Sequence, residues 1–302
     1  MRVRFGIVGV GHRGITLARK LAAMDDVELA GLADQDAQRL EAVARELGVD
    51  HTYPLLSEML AGLSLDAIMV LTPDLAHRGQ VVEGLESGVH VLVEKPPAYS
   101  VPGTEEMARA AEKAGKHLMV AWNRTYALDR VKEIFAEEPP AVVMANFVRP
   151  DPLYLGLLRD HIIDPFYLLC GEPDDIVAQG NMFDEEREGN VVASIRFATG
   201  SLGQLTTSFG AGGRSEQLTA YGDGYSVFVE STSGGAGRIV RGGDTVETLE
   251  PVDSITLEIR HFIDCIRRDR EPLTSGRHAV RIMRFTWAVM EAAGLRMPPD
   301  AG

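Results

Sequence analysis

The sequence predicts an α/β chain with two parts: an N-terminal Rossmann domain, a doubly wound parallel sheet, and a C-terminal α+β domain on a mainly antiparallel open sheet. Three observations carry that prediction. Between residues 3 and 122, short β-branched runs alternate with helical patterns, as parallel strands joined by crossover helices require. Beyond that point the strand-like runs lengthen, and turns such as Thr199-Gly200 and Gly222-Asp223-Gly224 separate them, which suits antiparallel pairing. The chain has 302 residues, more than one hydrophobic core usually serves. The domains are set at residues 1–122 and 123–302.

The strands expected in the first domain are residues 4–8, 28–33, 67–71, 90–93 and 118–121, with a short extra one around Tyr53. Helices between them show apolar stripes at helical spacing: Ile15, Ala18, Leu21 and Ala22; Val81, Val82 and Leu85; Met107, Ala108, Ala111 and Ala114. Gly115 supplies the stop for the last. A helix over 128–136 leads into strands at 142–148, 175–183, 191–197, 202–209, 217–221 and 225–230. The glycine-rich residues 234–243 read as a hairpin connection. Two helices close the chain, one with Ile255, Ile259, Phe262, Ile263 and Ile266 on its apolar face. The other carries Ala279, Ile282, Met283, Thr286, Val289, Met290 and Ala293.

Composition excludes several classes of partner. The net charge is −14 with no basic stripe, which argues against nucleic acid and anionic membranes, since both need a positive surface. No run of eighteen apolar residues exists to span a membrane, and the N-terminus lacks an export signal. Cys170 and Cys265 fall in apolar-periodic segments and read as buried free thiols in a reducing, cytoplasmic compartment. No third ligand accompanies any His/Asp pair, so no metal is expected.

The loop Gly9-Val10-Gly11-His12-Arg13-Gly14 follows an apolar strand and opens an amphipathic helix, with Asp34 twenty residues beyond Gly14 at the end of the next strand. That context makes it a dinucleotide-binding turn. Gly9 permits the sharp turn, Gly11 lets the backbone approach a pyrophosphate, and Gly14 allows close helix packing. The helix N-terminus offers free N–H groups and partial positive charge. His12 and Arg13 belong to the same cofactor loop. A carboxylate at Asp34 accepts ribose hydroxyls and repels a 2′-phosphate, so NAD is expected over NADP. Arg13 and Arg39 are the guanidinium groups able to reverse that choice. Solvated surface charge is the alternative role for both, and the more so for Arg39.

Two more segments leave strand C-terminal ends, where ligands bind open α/β sheets. Thr72-Pro73-Asp74-Leu75-Ala76-His77 follows one strand, and Glu94-Lys95-Pro96-Pro97 follows another. Thr72, Pro73, His77, Glu94, Lys95 and Pro96 are assigned to the cofactor site. Lys95 emerges from a buried strand; apolar walls and a cationic nicotinamide would lower its pKa and suit it to proton transfer or to orienting a hydroxyl. Pairing with Glu94 is the alternative. A cis Lys95–Pro96 bond is a reasonable way to aim the side chain.

These motifs in this order, with Asn123-Arg124 and the closing His261-Phe262-Ile263 to Arg270-Glu271-Pro272-Leu273, resemble the glucose–fructose oxidoreductase, inositol dehydrogenase and rhizopine-catabolism family. The resemblance covers nearly the whole chain. It implies oxidation or reduction at a hydroxyl or keto carbon of a sugar, cyclitol or related small molecule, with Lys95 beside the nicotinamide. It also implies a homodimer or homotetramer formed through the C-terminal sheet. His161, in Asp160-His161-Ile162-Ile163-Asp164, resembles the family's catalytic His-x-x-Asp pattern. On a helix, Asp164 would share its face and orient or charge-stabilise the imidazole. Where polyol-oxidising members carry an aspartate four residues earlier, this chain has Leu157, with Asp160 displaced by three.

Asp164-Pro165 leaves two local readings open: a helix beginning at Pro165 with Asp164 as its cap, or one continuous helix missing an N–H bond. Asn123, Arg124, Tyr126, Asp160, His161 and Lys95 make up the expected substrate contacts, with Arg124 either binding a substrate carboxylate or bridging the domains. Two alternatives to a simple dehydrogenase stand beside it. One is a glycoside-cleaving enzyme using tightly bound NAD; the other is a catalytically silent NAD-sensing regulator.

Overall fold

The computed structural model describes residues 2–150, 160–182 and 188–295. Leu157, with the departure from the family pattern, lies outside them, as does Phe183 at the end of one expected strand. The chain forms two compact units. The first holds residues up to Ala121 together with residues 258–281, and the second holds residues 122–257 and those from 282 through the last described residue. Residues 258–281, which lie beyond the boundary expected at 122, group with the first unit. The returning segment packs by shape and backbone bonding: Phe262 meets Phe5 edge-to-face at 6.2 Å, and Val120 N–H donates to Thr274 O at 2.9 Å.

The first unit is a parallel sheet of β1 (Val3–Val8), β2 (Val27–Ala33), β3 (Thr52–Tyr53), β4 (Ala67–Val70), β5 (His90–Val93) and β6 (Leu118–Val120), in the order β3-β2-β1-β4-β5-β6. The strand order reverses between β1 and β4, and there the carboxyl ends open a ligand crevice. Helices α1 (His12–Ala22), α2 (Ala37–Leu47), α3 (Leu56–Gly62), α4 (His77–Glu86) and α5 (Val101–Ala114) form the crossovers. The expected strands match β1, β2, β4, β5 and β6 to within a residue or so. Helices α2 and α3 have no counterpart among the expected elements. Helix α2 is bounded by local chemistry: Asp36 caps it by accepting Arg39 N–H at 3.0 Å, and Gly48 ends it at φ 67°.

In the second unit, α6 (Asp129–Glu137) and α7 (Asp160–Cys170) accompany a sheet of β7 (Val142–Arg149), β8 (Pro173–Met182), β9 (Glu188–Phe197), β10 (Leu202–Phe209), β11 (Ser215–Gly222), β12 (Tyr225–Ser231), β13 (Ala236–Arg241) and β14 (Thr245–Leu249). Their order is β14-β13-β12-β11-β7-β10-β9-β8, antiparallel except where β10 runs parallel to β7. Alternate residues such as Val143, Ala145, Phe147, Leu205, Leu218 and Val227 are buried on one face, the period-2 pattern of a half-covered sheet. The other face leaves Val177, Val192, Leu202, Tyr221 and Val246 exposed. Helices α8 (Ser254–Arg268) and α9 (Gly276–Ala292) complete the chain.

One expectation is corrected here. Residues 234–243 are not a connection; they contain β13, paired to β12 and β14. Glycine density hid the strand, yet a Cβ on Gly237 would lie 2.0 Å from Phe228 O, so the strand needs that gap. Ile239 supplies the single fully buried side chain, and the turn itself is Gly242-Gly243, both at positive φ. Of the two readings left open at Asp164-Pro165, the continuous helix is the one found: Pro165 lies inside α7. Asp164 accepts the Thr125 hydroxyl instead of capping, and Ile162, Ile163 and Phe166 are all buried. Packing on both sides of Pro165 outweighs one missing backbone bond.

Candidate active site

The first unit presents a cavity of about 550 Å³ at the carboxyl ends of β1, β2 and β4, walled by Gly9, Gly11, Asp34, Leu55, Thr72 and Pro73. His12, Arg13 and Arg39 also line it. Each glycine of the loop has a different setting, and Gly9 and Gly14 are required by close contacts. Gly9 has φ 89°, and a Cβ there would lie 2.8 Å from the Leu71 carbonyl and Thr72 nitrogen. On Gly14 a Cβ would meet Gly9 O at 2.0 Å, so helix α1 touches the loop itself. Nothing stands within 4 Å of a Cβ built on Gly11; that side is open, as approach by a phosphate demands. Gly11 is the N-cap of α1 and makes no side-chain cap bond, leaving the first turn's N–H groups for an anion.

Asp34 is more heavily engaged than its sequence position suggests. Its Oδ2 accepts Val10 N–H at 2.8 Å, and its Oδ1 accepts Asp36 N–H at 2.9 Å and Arg39 Nη2 at 2.7 Å. Burial works against the charge on Asp34. The Arg39 guanidinium and the two backbone donors outweigh it and hold the carboxyl below its ordinary range. Arg39, expected mainly as solvated surface charge, is thus the partner of the Asp34 carboxylate. The Leu55 and Leu56 wall escapes a sequence reading. It arrives because β3 pairs with β2 at Ala33↔Tyr53, a tertiary event with no local signal beyond the Tyr53 run.

Register Val70↔Val93 brings the segments after β4 and β5 side by side. Thr72 Oγ1 donates to Gln80 Oε1 at 2.6 Å. Glu94 is ion-paired with Arg13 and accepts the Lys95 N–H at 3.0 Å. The expected alternative of a Lys95–Glu94 pair is therefore taken by Arg13. Lys95 is half-buried, and its ammonium makes no hydrogen bond or ion pair among the described residues. The Lys95–Pro96 bond is cis. His77, expected at the cofactor, is 1% exposed, with Nδ1 2.8 Å from Pro96 O and Nε2 2.9 Å from Thr72 O.

In the second unit, the turn of 3-10 helix Asn123–Ala127 follows Trp122, and its polar side chains point inward. Trp122 Nε1 donates to Asp160 Oδ2 at 2.9 Å, Asn123 Nδ2 to Ser254 Oγ at 2.7 Å, and Arg124 Nε to Glu216 Oε2 at 2.7 Å. Asn123, Arg124, Tyr126 and Asp160, all expected at the substrate, are buried. They hold together the turn, α7, β11 and the start of α8. Arg149 and Arg214 join Arg124 on Glu216, each at 2.7 Å. Burial opposes the charge on Glu216, but the Arg124 and Arg149 guanidiniums overcome it and depress its carboxyl.

His161 and Asp164 do lie one helical turn apart on α7, as expected of the pair. The His161 ring centroid is 6.4 Å from that of Phe147, over which the Arg149 guanidinium sits at 4.8 Å. Asp164 accepts the Thr125 hydroxyl. Cys170 and Cys265 are buried free thiols, and burial pushes Cys170 up to about 12. Among the described residues, no group of three His, Cys, Asp or Glu could hold a metal, and no helix is long and apolar enough to cross a membrane.

Comparison with known proteins agrees with this layout. Residues 3–122 match the model of an oxidoreductase family with an NAD-binding Rossmann fold. The chain is 28% identical to D-xylose 1-dehydrogenase (NADP(+)) 2 of Haloferax volcanii, over 96% of this chain and 97% of that one. It is 30% identical to YceM of Salmonella typhimurium, named as an oxidoreductase, over 76% of this chain and 79% of that protein. Among solved structures, UDP-N-acetylglucosamine 3-dehydrogenase from Acidithiobacillus ferrooxidans superposes with a TM-score of 0.86 at 23% identity, covering 97% of this chain and 98% of that one.

Proposed function

Because this chain belongs to the glucose–fructose oxidoreductase and inositol dehydrogenase family of NAD-binding Rossmann oxidoreductases, we propose that it moves a hydride between a nicotinamide dinucleotide and a hydroxyl or keto carbon of a sugar, cyclitol or related small molecule. The observation that carries this reading is the cavity in which the Gly9–Gly14 turn, Asp34 and Thr72-Pro73 converge. The residues present fit a dinucleotide: an open Gly11, an uncapped helix N-terminus, and a charged carboxylate at the ribose position. When bound, the cofactor supplies the hydride-accepting or hydride-donating ring.

The chain's own groups do the rest. Gly9, Gly11 and the first turn of α1 bind the pyrophosphate. Lys95, with its ammonium available, donates to the substrate oxygen and orients it. His161 takes or returns the hydroxyl proton at a ring nitrogen, with Asp164 on the same helix favouring the charged ring. NAD is preferred, since the Asp34 carboxylate disfavours a 2′-phosphate; Arg39 moderates that preference by neutralising it. The uncovered sheet face, with Leu202 and Val192 exposed, joins a second copy of the chain. Two buried free thiols support a reducing, cytoplasmic location.

The test is absorbance of NADH formed from NAD across D-xylose, myo-inositol, UDP-N-acetylglucosamine and related compounds, repeated with NADP. Turnover on at least one sugar or cyclitol is the expected result. Absence of NADH formation across the panel, together with release of a glycan, would replace the dehydrogenase reading with glycosidic cleavage.

A further inference from the structure

Beyond the ends of β4 and β5 the ladder stops. Its last bonds there are Leu71 N–H to Val8 O at 2.8 Å and Glu94 N–H to Val70 O at 2.9 Å. The next residues on each segment, Thr72 and Lys95, carry the expected cofactor and substrate chemistry, yet no strand pairing holds them. Pro96 has no N–H to contribute. Two side-chain contacts cross the gap: the Tyr99 hydroxyl donates to the Asp74 carboxylate, and His77 bridges the residues nearest the strand ends. The His77 ring lies between the two segments, buried, with one nitrogen on the carbonyl of Pro96 and the other on that of Thr72.

We propose that His77 is a positioning residue for Lys95: its ring ties the Pro96 carbonyl to the Thr72 carbonyl and so sets where the Lys95 side chain leaves the sheet. The proposal rests on the role assigned to Lys95 above. Carbonyl oxygens only accept, so each contact draws on a ring N–H; a neutral imidazole serves one carbonyl and a protonated one serves both. The two nitrogens sit on different edges of a rigid ring. No other side chain of that size can reach two carbonyls on either side of it. An amide carries both of its donors on one nitrogen, and Phe carries none. Helix α4 starts at His77 itself, so the ring is anchored to a rigid element. The Thr72 hydroxyl bonds Gln80, on the next turn of the same helix.

A shift of the reacting group by about 1 Å can cost about a hundredfold in rate, so a loosened tie reads in kcat rather than in cofactor affinity. The experiment compares His77→Gln and His77→Phe with the natural protein, each also made in a Lys95→Ala background, on the panel substrate with the highest kcat/KM. NADH binding is followed by fluorescence in all of them. His77→Gln is expected to lower kcat about tenfold or more, with NADH affinity within about twofold of the natural protein. In the Lys95→Ala background the same change is expected to do nothing further, since the two act through one group.

An unchanged kcat in His77→Gln overturns the proposal. So does an undiminished effect in the Lys95→Ala background, which would make the role purely structural, or a proportional loss of NADH affinity, which would make His77 a cofactor contact. If His77→Phe fails to fold, His77→Gln decides alone. Lys95→Ala by itself tests the reading on which this one depends: unaltered turnover there removes Lys95 from the chemistry, whatever His77 does.

Discussion

In sequence, the segments that follow β4 and β5 resemble the turn that follows Trp122, each being a short polar stretch after an apolar strand. In the structure they differ. Thr72, Pro73 and the glycine turn open onto a cavity, whereas Trp122, Asn123, Arg124 and Thr125 all turn inward onto partners within their own unit. The lesson is that a polar residue at a strand end becomes a ligand group only if the fold leaves it unburied. Once buried, it must find a protein partner, because an unsatisfied donor costs about 1–3 kcal/mol.

The largest effect that would sharpen this contrast is catalytic. Lys95→Ala and His161→Ala should each lower kcat by about 10²–10⁴-fold with normal thermal unfolding, whereas Arg124→Ala should act first on stability. Steady-state kinetics beside melting curves separate the two, and equal kinetic behaviour would break the comparison. Arg124→Ala itself is expected to cost about 1.5–3 kcal/mol in urea unfolding, since it strips one guanidinium from the buried carboxylate of Glu216 while Arg149 and Arg214 remain. A loss below about 1 kcal/mol, with a raised KM instead, would return Arg124 to the substrate.

At the cofactor end the expected effect is smaller. Asp34→Ala should move the NAD to NADP ratio of kcat/KM by about tenfold toward NADP, worth about 1.4 kcal/mol, by freeing Arg39 for a 2′-phosphate. An Arg39→Ala change on that background should undo the gain. The smallest effect is in acid. The depressed carboxyl of Glu216 contributes stability that is fully present above the ordinary carboxylate range. It is lost as pH falls through the lower folded value, in a window below about pH 5. Melting temperature followed downward from neutrality should therefore fall less steeply in Glu216→Gln, although that variant starts lower.

Much of the first unit was legible because its signals are local. The glycine turn, its strand and its helix lie close together along the chain, and Asp34 is one strand further on. The contacts of His77 were not legible, for the opposite reason. Nothing in Thr72-Pro73-Asp74-Leu75-Ala76-His77 says that the ring will meet Pro96, nineteen residues away. The strand β13 was hidden because its glycines serve close approach to Phe228, a neighbour that only the sheet supplies. Arg39 read as solvated because its partner is defined by the fold of the turn between β2 and α2.

What the sequence by itself determined is the parallel sheet, its glycine turn, the carboxylate at Asp34, the lysine at a strand end and the His161–Asp164 spacing. Each follows from periodicity or from backbone geometry that a single residue type enforces. Only the tertiary structure decided which polar groups line the cavity and which pair within the protein. It put Arg39 on Asp34, Arg13 on Glu94, Arg124 on Glu216 and His77 across two carbonyls. The reason is physical: hydrogen bonds and ion pairs select partners by distance in space, and burial makes that selection obligatory.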